Sequence, residues 1–530
     1  MFQKIKTLFL NLAVYGMGDV ATHIVSLLLM PWFTKYLAKF DLGIWGMLIT
    51  ASLVAKIVFR WGVDASFMRF FYDCEDDAAR QRLASTILFF LLAANGVILL
   101  AALVAAPFYS EWYFKVPGQT LALQLMILST FIGGFFFLPF HVFRIRNQPR
   151  QFTALTFARS ATTLVSRVLL VLVFHFGVMG LVVSELVITA AFAVLLLRWF
   201  APLVRPVFSR ETLREVLRFG LPRVPHGLAQ QVVGPATDSF LMSRLMPGSG
   251  IAVTEAIGLY QVGSTFGLAL KYFLGAFEYA WAPFYFQTMT EKDAQRTFAT
   301  IATYGLGVLV LLSAGLSAVA RDFIRLMTHQ GFHEAWVVIP PITIAVTLQG
   351  WYLLTSIGMN ITKQTRYYPI AAGVAAGANI LANIVLIPRF GILGPAWANV
   401  VSYAVLAGVA YVFSQRFYPI RYETGRIVRV ILAGVVAYLA AVLLVPPLRF
   451  ALAGVLARGT VVVAVYPAVL GVTGFFRRQE LARIEALVGQ LRAARARKPA
   501  RAAVLEEPVI PSAEVEAEED PNAAVFEQDR

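Results

Sequence analysis

Lys56 and Arg60 stand one helical turn apart in the stretch KIVFRWGVD, residues 56–64, and Asp64 follows a turn later. All three belong to a run, residues 42–66, that is otherwise apolar and long enough to cross a bilayer. A charge near the bilayer centre costs about 2.5 to 3.5 kcal/mol on insertion scales, so a chain keeps one there only against a watery lumen, a partner charge or a ligand. Four more cations sit in comparable runs: Arg159 and Arg167, two turns apart, Lys271, and Arg223 in GLPRVPHG, which reads as interfacial. Arginine offers bidentate hydrogen bonds and lysine a point charge, which is what a phosphate or pyrophosphate requires. Lys56, Arg60, Arg159, Arg167 and Lys271 are therefore the candidate residues for binding an anionic substrate. Asp19, Asp64, Asp238 and Glu278, with His23 one turn beyond Asp19, are candidates for coupling to H+ or Na+. Ion pairing is the other reading of the same residues: Asp64 with Arg60, Glu278 with Lys271, and Asp19, Glu185 or Asp238 with the remaining cations.

The elements that must hold these charges are membrane spans. The chain has 530 residues, of which 58% are hydrophobic and 14% charged, and its mean hydropathy is +0.70; such a composition excludes a soluble multidomain protein. Apolar stretches of about 20 residues recur along it, predicting about 14 helices, the first centred near residue 22, the seventh near 233 and the eighth near 272. The segment MFQKIKTLFLNLAVYGMGD lacks a small-x-small cleavage site and reads as a retained first helix. Basic residues crowd alternate loops (Arg69, Arg80 and Arg82; Arg144, Arg146 and Arg150; Arg205, Arg210, Arg214 and Arg218; Arg416, Arg421, Arg426 and Arg429), which places those loops and both termini in the cytoplasm. The basic balance is thus a matter of topology, and no nucleic-acid partner is expected.

Two segments follow the last span. Residues 477–501 put Leu481, Ile484, Leu487, Val488 and Leu491 on one helical stripe beside Arg483, Arg492 and Arg495, an amphipathic pattern suited to a membrane surface. Residues 502–530 are acidic, have little to bury, and read as disordered. Cys74 is the sole cysteine and excludes an internal disulfide; no cofactor or metal site is expected, since G-x-x-x-x-G-K-[ST] and H-E-x-x-H are both absent and His329 and His333 read as surface residues.

An internal repeat organises the spans. An offset of 215 sets Gly43 against Gly258 and Lys56 against Lys271, and an offset of 214 sets FGVMGL at 176–181 against FGILGP at 390–395. Two six-helix lobes follow, residues 1–200 and 216–416, with two extra helices in 426–476. Transporters built from repeats carry their substrate site between the lobes.

Three stretches give the chain a family likeness: LMPWFTKYLAKFDLGIWG, LRFGLPRVPHGLAQQVVGPATDSFLMSRL and NILANIVLIPRFGILGPAWANVVSYAV. They resemble the multidrug/oligosaccharidyl-lipid/polysaccharide exporter superfamily and, within it, the Wzx-like oligosaccharide flippases. The last stretch carries an N-x3-N-x2-LIP-x-x-G-x-x-G pattern at Asn379, Asn383, Leu386, Ile387, Pro388, Gly391 and Gly394, where proline and glycine suit a tight helix exit. The resemblance implies a V-shaped, all-α protein of the bacterial cytoplasmic membrane that alternates between two openings, with a cationic cavity and an undecaprenyl-pyrophosphate-linked oligosaccharide as substrate. Membrane lipids and polysaccharide polymerase or export proteins are its expected partners. Fourteen helices are also the count of the lipid II flippases, so that substrate stays open. A drug or cation antiporter of the same superfamily would favour an acidic cavity, whereas cations outnumber acids here. A membrane polymerase or glycosyltransferase would need a long outer loop with catalytic carboxylates, and the connections near 107–120 and 321–335 are short, so no enzyme is expected.

Overall fold

The computed structural model describes residues 27–477 apart from 147, 222–223 and 225–233, and every regular element in them is helical. In chain order these are α1 (Met30–Tyr36), α2 (Lys39–Arg60), α3 (Val63–Asp73), α4 (Asp77–Phe114), α5 (Thr120–Gly133), α6 (Phe137–Ile145), α7 (Pro149–Val168), α8 (Gly177–Phe200), α9 (Arg210–Gly220) and α10 (Pro235–Leu245). They are followed by α11 (Gly250–Gly267), α12 (Ala269–Thr288), α13 (Ala294–Met327), α14 (Ile339–Thr355), α15 (Ile357–Ile361), α16 (Tyr367–Phe390), α17 (Leu393–Phe417), α18 (Thr424–Leu444) and α19 (Ala451–Val472). Eleven helices among the described residues are long and apolar enough to cross a membrane. The spans expected near residues 22 and 233 fall on residues outside the described set. The chain divides into two compact units, residues 1–473 and 474–530, so the pair α18–α19 belongs with the preceding helices.

Polar caps mark where helices begin. Asp76 accepts from the Ala79 amide at the start of α4, Ser209 from Thr212 at α9, and Ser249 from Ala252 at α11, each satisfying a donor that the helix leaves open. The break between α2 and α3 has a different cause. Trp61 and Gly62 both adopt the left-handed conformation, at φ 51° and 68°, which for tryptophan needs outside support. Asn95 on α4 supplies it: its amide donates to the Phe59 carbonyl at 2.7 Å and its oxygen accepts from the Trp61 indole at 2.8 Å. The segment expected as the eighth span is likewise two helices, α11 and α12, neither of which is among those eleven; it breaks at Leu268, so Lys56 precedes its break whereas Lys271 follows its own.

The repeat is visible as a helix crossing. A methyl group on Gly43 would overlap the Thr254 carbonyl, and one on Gly258 would overlap the Lys39 carbonyl. Thr254 is Lys39 displaced by the offset of 215, and Gly258 is Gly43 so displaced, hence α2 and α11 pack through equivalent backbone positions. Gly46 and Gln261, another equivalent pair, touch each other on the line between them. Small residues let the helices approach this closely, and Ile44, Met47, Leu48, Val253, Ile257 and Tyr260 close the core around the crossing.

At the far end of the chain, α18 and α19 are fastened along α13. Arg426, nearly buried, donates to Tyr304 at 3.0 Å and to Glu423 at 2.8 Å; the Tyr466 hydroxyl donates to the Gly307 carbonyl at 2.8 Å; and Arg458 pairs with the buried Asp322. Between α16 and α17, Gly391 takes φ 55° and Gly394 packs against the Ile387 backbone, so two residues complete the reversal.

Candidate functional site

In the first repeat the charges converge on Glu185 of α8. Its two carboxylate oxygens accept from Arg167 at 2.7 Å and from Arg159 at 3.3 Å, both on α7. Arg159 also reaches the Thr189 hydroxyl at 3.4 Å and lies over the Phe136 ring, while Arg167 lies over the Trp45 ring. Lys56 is exposed at the edge of this group, within electrostatic reach of Arg60, Arg159 and Glu185. Arg60 pairs with Asp64 across the helix break at 3.5 Å. Four cations thus share two carboxylates, leaving a formal excess of positive charge. The Nε atoms of Arg60 and Arg167 are buried and donate to nothing among the described residues, so the group retains hydrogen-bonding capacity for an anion.

Asp238 of α10 anchors the second cluster. It is fully buried, accepting from the Tyr260 hydroxyl at 2.5 Å and the Asn399 amide at 2.6 Å. Asn399 in turn accepts from Asn379 at 3.3 Å, and Asn383 donates to Asn379 at 3.0 Å. One oxygen each of Asp238 and Asn383 is buried and accepts from nothing among the described residues. Buried acceptors without donors are costly, so these two oxygens, in a cluster of amides and a phenol, favour a cation or a proton. No group of three or more His, Cys, Asp or Glu side chains suited to a metal ion occurs among the described residues.

Both clusters rest on the same repeat positions. Trp45 and Tyr260 are related by the offset of 215, and Glu185 and Asn399 by 214. In the first repeat these positions hold a guanidinium; in the second they hold a carboxylate.

The structure therefore brings Lys56, Arg60, Asp64, Arg159 and Arg167 together. It puts Lys271, exposed on α12, in a separate group whose other charge is Glu278. Asp238 joins neither, and Asp19, His23 and Arg223 lie outside the described residues. Sequence reasoning missed Glu185 as the hub and missed Tyr260 and Asn399 altogether. Extending the two offsets to every polar residue in a span would have found Glu185 and Asn399.

The protein is thus a multi-pass, all-helical membrane protein whose sequence repeat carries a polar cluster in each copy. The chain belongs to the polysaccharide biosynthesis protein family, whose model matches residues 33–337. It is 22% identical over 465 residues to an uncharacterized membrane protein of Methanocaldococcus jannaschii, covering 82% of this chain and 88% of that one. Its fold is similar to that of the lipid II flippase MurJ in an inward closed conformation, with a TM-score of 0.64 at 14% identity over 89% of this chain and 99% of that one. It is also similar to a multidrug resistance MATE family transporter of the MOP superfamily in an inward-facing conformation, with a TM-score of 0.59 at 13% identity over 76% and 94%.

Proposed function

We propose that this protein is a flippase that carries an undecaprenyl-pyrophosphate-linked oligosaccharide across the bacterial cytoplasmic membrane by alternating access, with both termini cytoplasmic. The observation that carries the reading is the excess of positive charge around Glu185, where Lys56, Arg159 and Arg167 present donors to a pyrophosphate. Lys271 contributes a second point of attachment from the other repeat. An apolar crevice of about 270 Å³ between α12 and α13, lined by Phe273, Phe277, Gly305 and Val308, supports an amphipathic, lipid-linked substrate.

Coupling belongs to Asp238, whose spare oxygen, like that of Asn383 in the same cluster, suits H+ or Na+. This observation also favours a second reading, a cation-driven antiporter of the same fold. The two differ in what fills the Glu185 cluster: a flippase needs its cations, and an exporter of cationic drugs does not.

The test is to deplete the protein, identify the lipid-linked saccharide that accumulates on the cytoplasmic leaflet, and complement with variants. Lys56→Ala should abolish export with normal insertion, and Lys56→Arg should retain part of it. Export restored by combining Lys56→Ala with Glu185→Ala would make the lysine a mere counter-charge and overturn the substrate role. Asp238→Asn keeps the shape of the pocket, so it should remove the dependence on the ion gradient and leave substrate binding intact.

A further inference from the structure

Helix α9 joins the two repeats, and its surface is not explained by transport of the substrate. The Ser66 hydroxyl of α3 donates to the Val216 carbonyl at 2.9 Å, and the Ser209 amide donates to Thr86 of α4 at 3.1 Å. Gly220 meets Gly62 so closely that a methyl on either would overlap the other's backbone. Phe219 completes the attachment, lying under Arg69 at 5.0 Å and edge-on to Phe70. The inner face of α9 is therefore docked at the break that follows Arg60.

Its outer face is ordered by chemistry. Going round the helix at about 100° per residue, the docked Val216 and Gly220 are followed by the half-buried Leu213 and Leu217, then by Arg210, Arg214 and Arg218, and last by Glu211 and Glu215. The three arginines are exposed, one turn apart, and none makes an ion pair or hydrogen bond among the described residues. Val207, Phe208 and Leu221, at the two ends, are exposed apolar side chains. That sequence of surfaces matches a bilayer interface: leucines toward the acyl boundary, arginines at the level of the lipid phosphates, glutamates in water.

We propose that α9 is a docking surface for anionic phospholipid headgroups, gripped by Arg210, Arg214 and Arg218. Charge complementarity selects this occupant, because a row of guanidiniums without a partner among the described residues, bordered by leucines, offers nothing to a zwitterionic surface that it does not offer more strongly to an anionic one. Through Gly220 and Gly62 the same helix bears on the turn that carries Arg60, so the lipid contact is mechanically continuous with the anion cluster.

The experiment titrates phosphatidylglycerol and phosphatidylcholine onto the full-length detergent-solubilised protein and counts bound lipids by native mass spectrometry. Arg214→Gln/Arg218→Gln is compared with Arg416→Gln/Arg421→Gln, which removes two exposed arginines elsewhere. Each headgroup contact is worth about fivefold, so the first variant should bind phosphatidylglycerol about twenty-five-fold more weakly with phosphatidylcholine unchanged, while the second binds as the parent does. Arg214→Lys/Arg218→Lys should retain most of the affinity, because a phosphate attracts either charge. An unchanged affinity in the first variant, or an equal loss in both glutamine variants, would overturn the proposal. So would displacement of the lipid by millimolar inorganic phosphate, which would mark a free-anion site.

Discussion

Gly258→Ala tests whether the α2–α11 crossing is a seal that must part during transport. The added methyl has no room: it would lie inside the Lys39 carbonyl and against the Gly43 amide, both backbone groups that no rotamer change can move. The helices must separate, and overpacking of this kind costs about 1 to 3 kcal/mol. If the state with this crossing closed is one of two, that cost shifts its population by about 5- to 150-fold. Spin labels at Glu111 and Ile251, both exposed near the ends of α4 and α11, read the opening in a Cys74→Ser background. Lys115, just beyond α4, packs its carbonyl against Gly250, so the two sites are close while the crossing is shut. Double electron-electron resonance should show a longer distance population in Gly258→Ala, and a similar one in Gly43→Ala, because each glycine fits the other repeat in the same way. Combining both changes should add little, since one separation relieves both overlaps. Gly373→Ala, where a methyl meets open space, is the control. An unchanged distance distribution in Gly258→Ala, with the protein folded, would refute the reasoning.

Three further outcomes follow from other parts of the molecule. Arg458→Ala leaves Asp322 buried without its main partner, which costs about 3 to 5 kcal/mol; thermal unfolding should begin at lower temperature, and adding Asp322→Asn should recover part of the loss. Cys74 should react with an impermeant maleimide only from the cytoplasmic side, and burial pushes its thiol above the ordinary range, so at neutral pH labelling should be slower than for an exposed thiol and should accelerate with pH as the thiolate forms. Truncation after Arg501 should leave export intact, and lost export at normal protein levels would assign the acidic segment a partner.

Charges inside apolar runs are conspicuous, which is why Lys56, Arg60, Arg159 and Arg167 were legible without a structure. That Glu185, one of three acids open as partners, serves both Arg159 and Arg167 was not, because its pairing with residues 18 and 26 positions earlier depends on how α7 crosses α8. The break at Trp61 was hidden for a related reason. Nothing local favours a left-handed tryptophan, and the side chain that holds it, Asn95, lies 34 residues away. The glycine alignment, by contrast, was readable because the two copies have kept the backbone approach that both need. The asparagines of α16 are legible in the sequence only as part of a family motif, and the structure adds that they buttress Asn399, which in turn holds Asp238.

That buttress explains how one repeat can serve two purposes. Equivalent positions meet a charge in each half: Trp45 and Glu185 both bear on Arg167, and Tyr260 and Asn399 both bear on Asp238. With glutamate at the second position the half recruits arginines from α7, which remain partly exposed, at 33% and 24%, and ready for an anion. With asparagine there, the half accepts a carboxylate, donating to Asp238 through an amide, and the resulting pocket is closed to water, since Asp238 and Asn383 are fully buried. The exposed cluster suits a large group that enters and leaves, and the closed one suits a bare ion or a proton. If the two halves move as bodies about the glycine crossing, a charge bound in the second is mechanically tied to the width of the opening over the first. Under the proposed function, the divergence of a single repeat position, Glu185 against Asn399, is what would separate cargo from coupling ion.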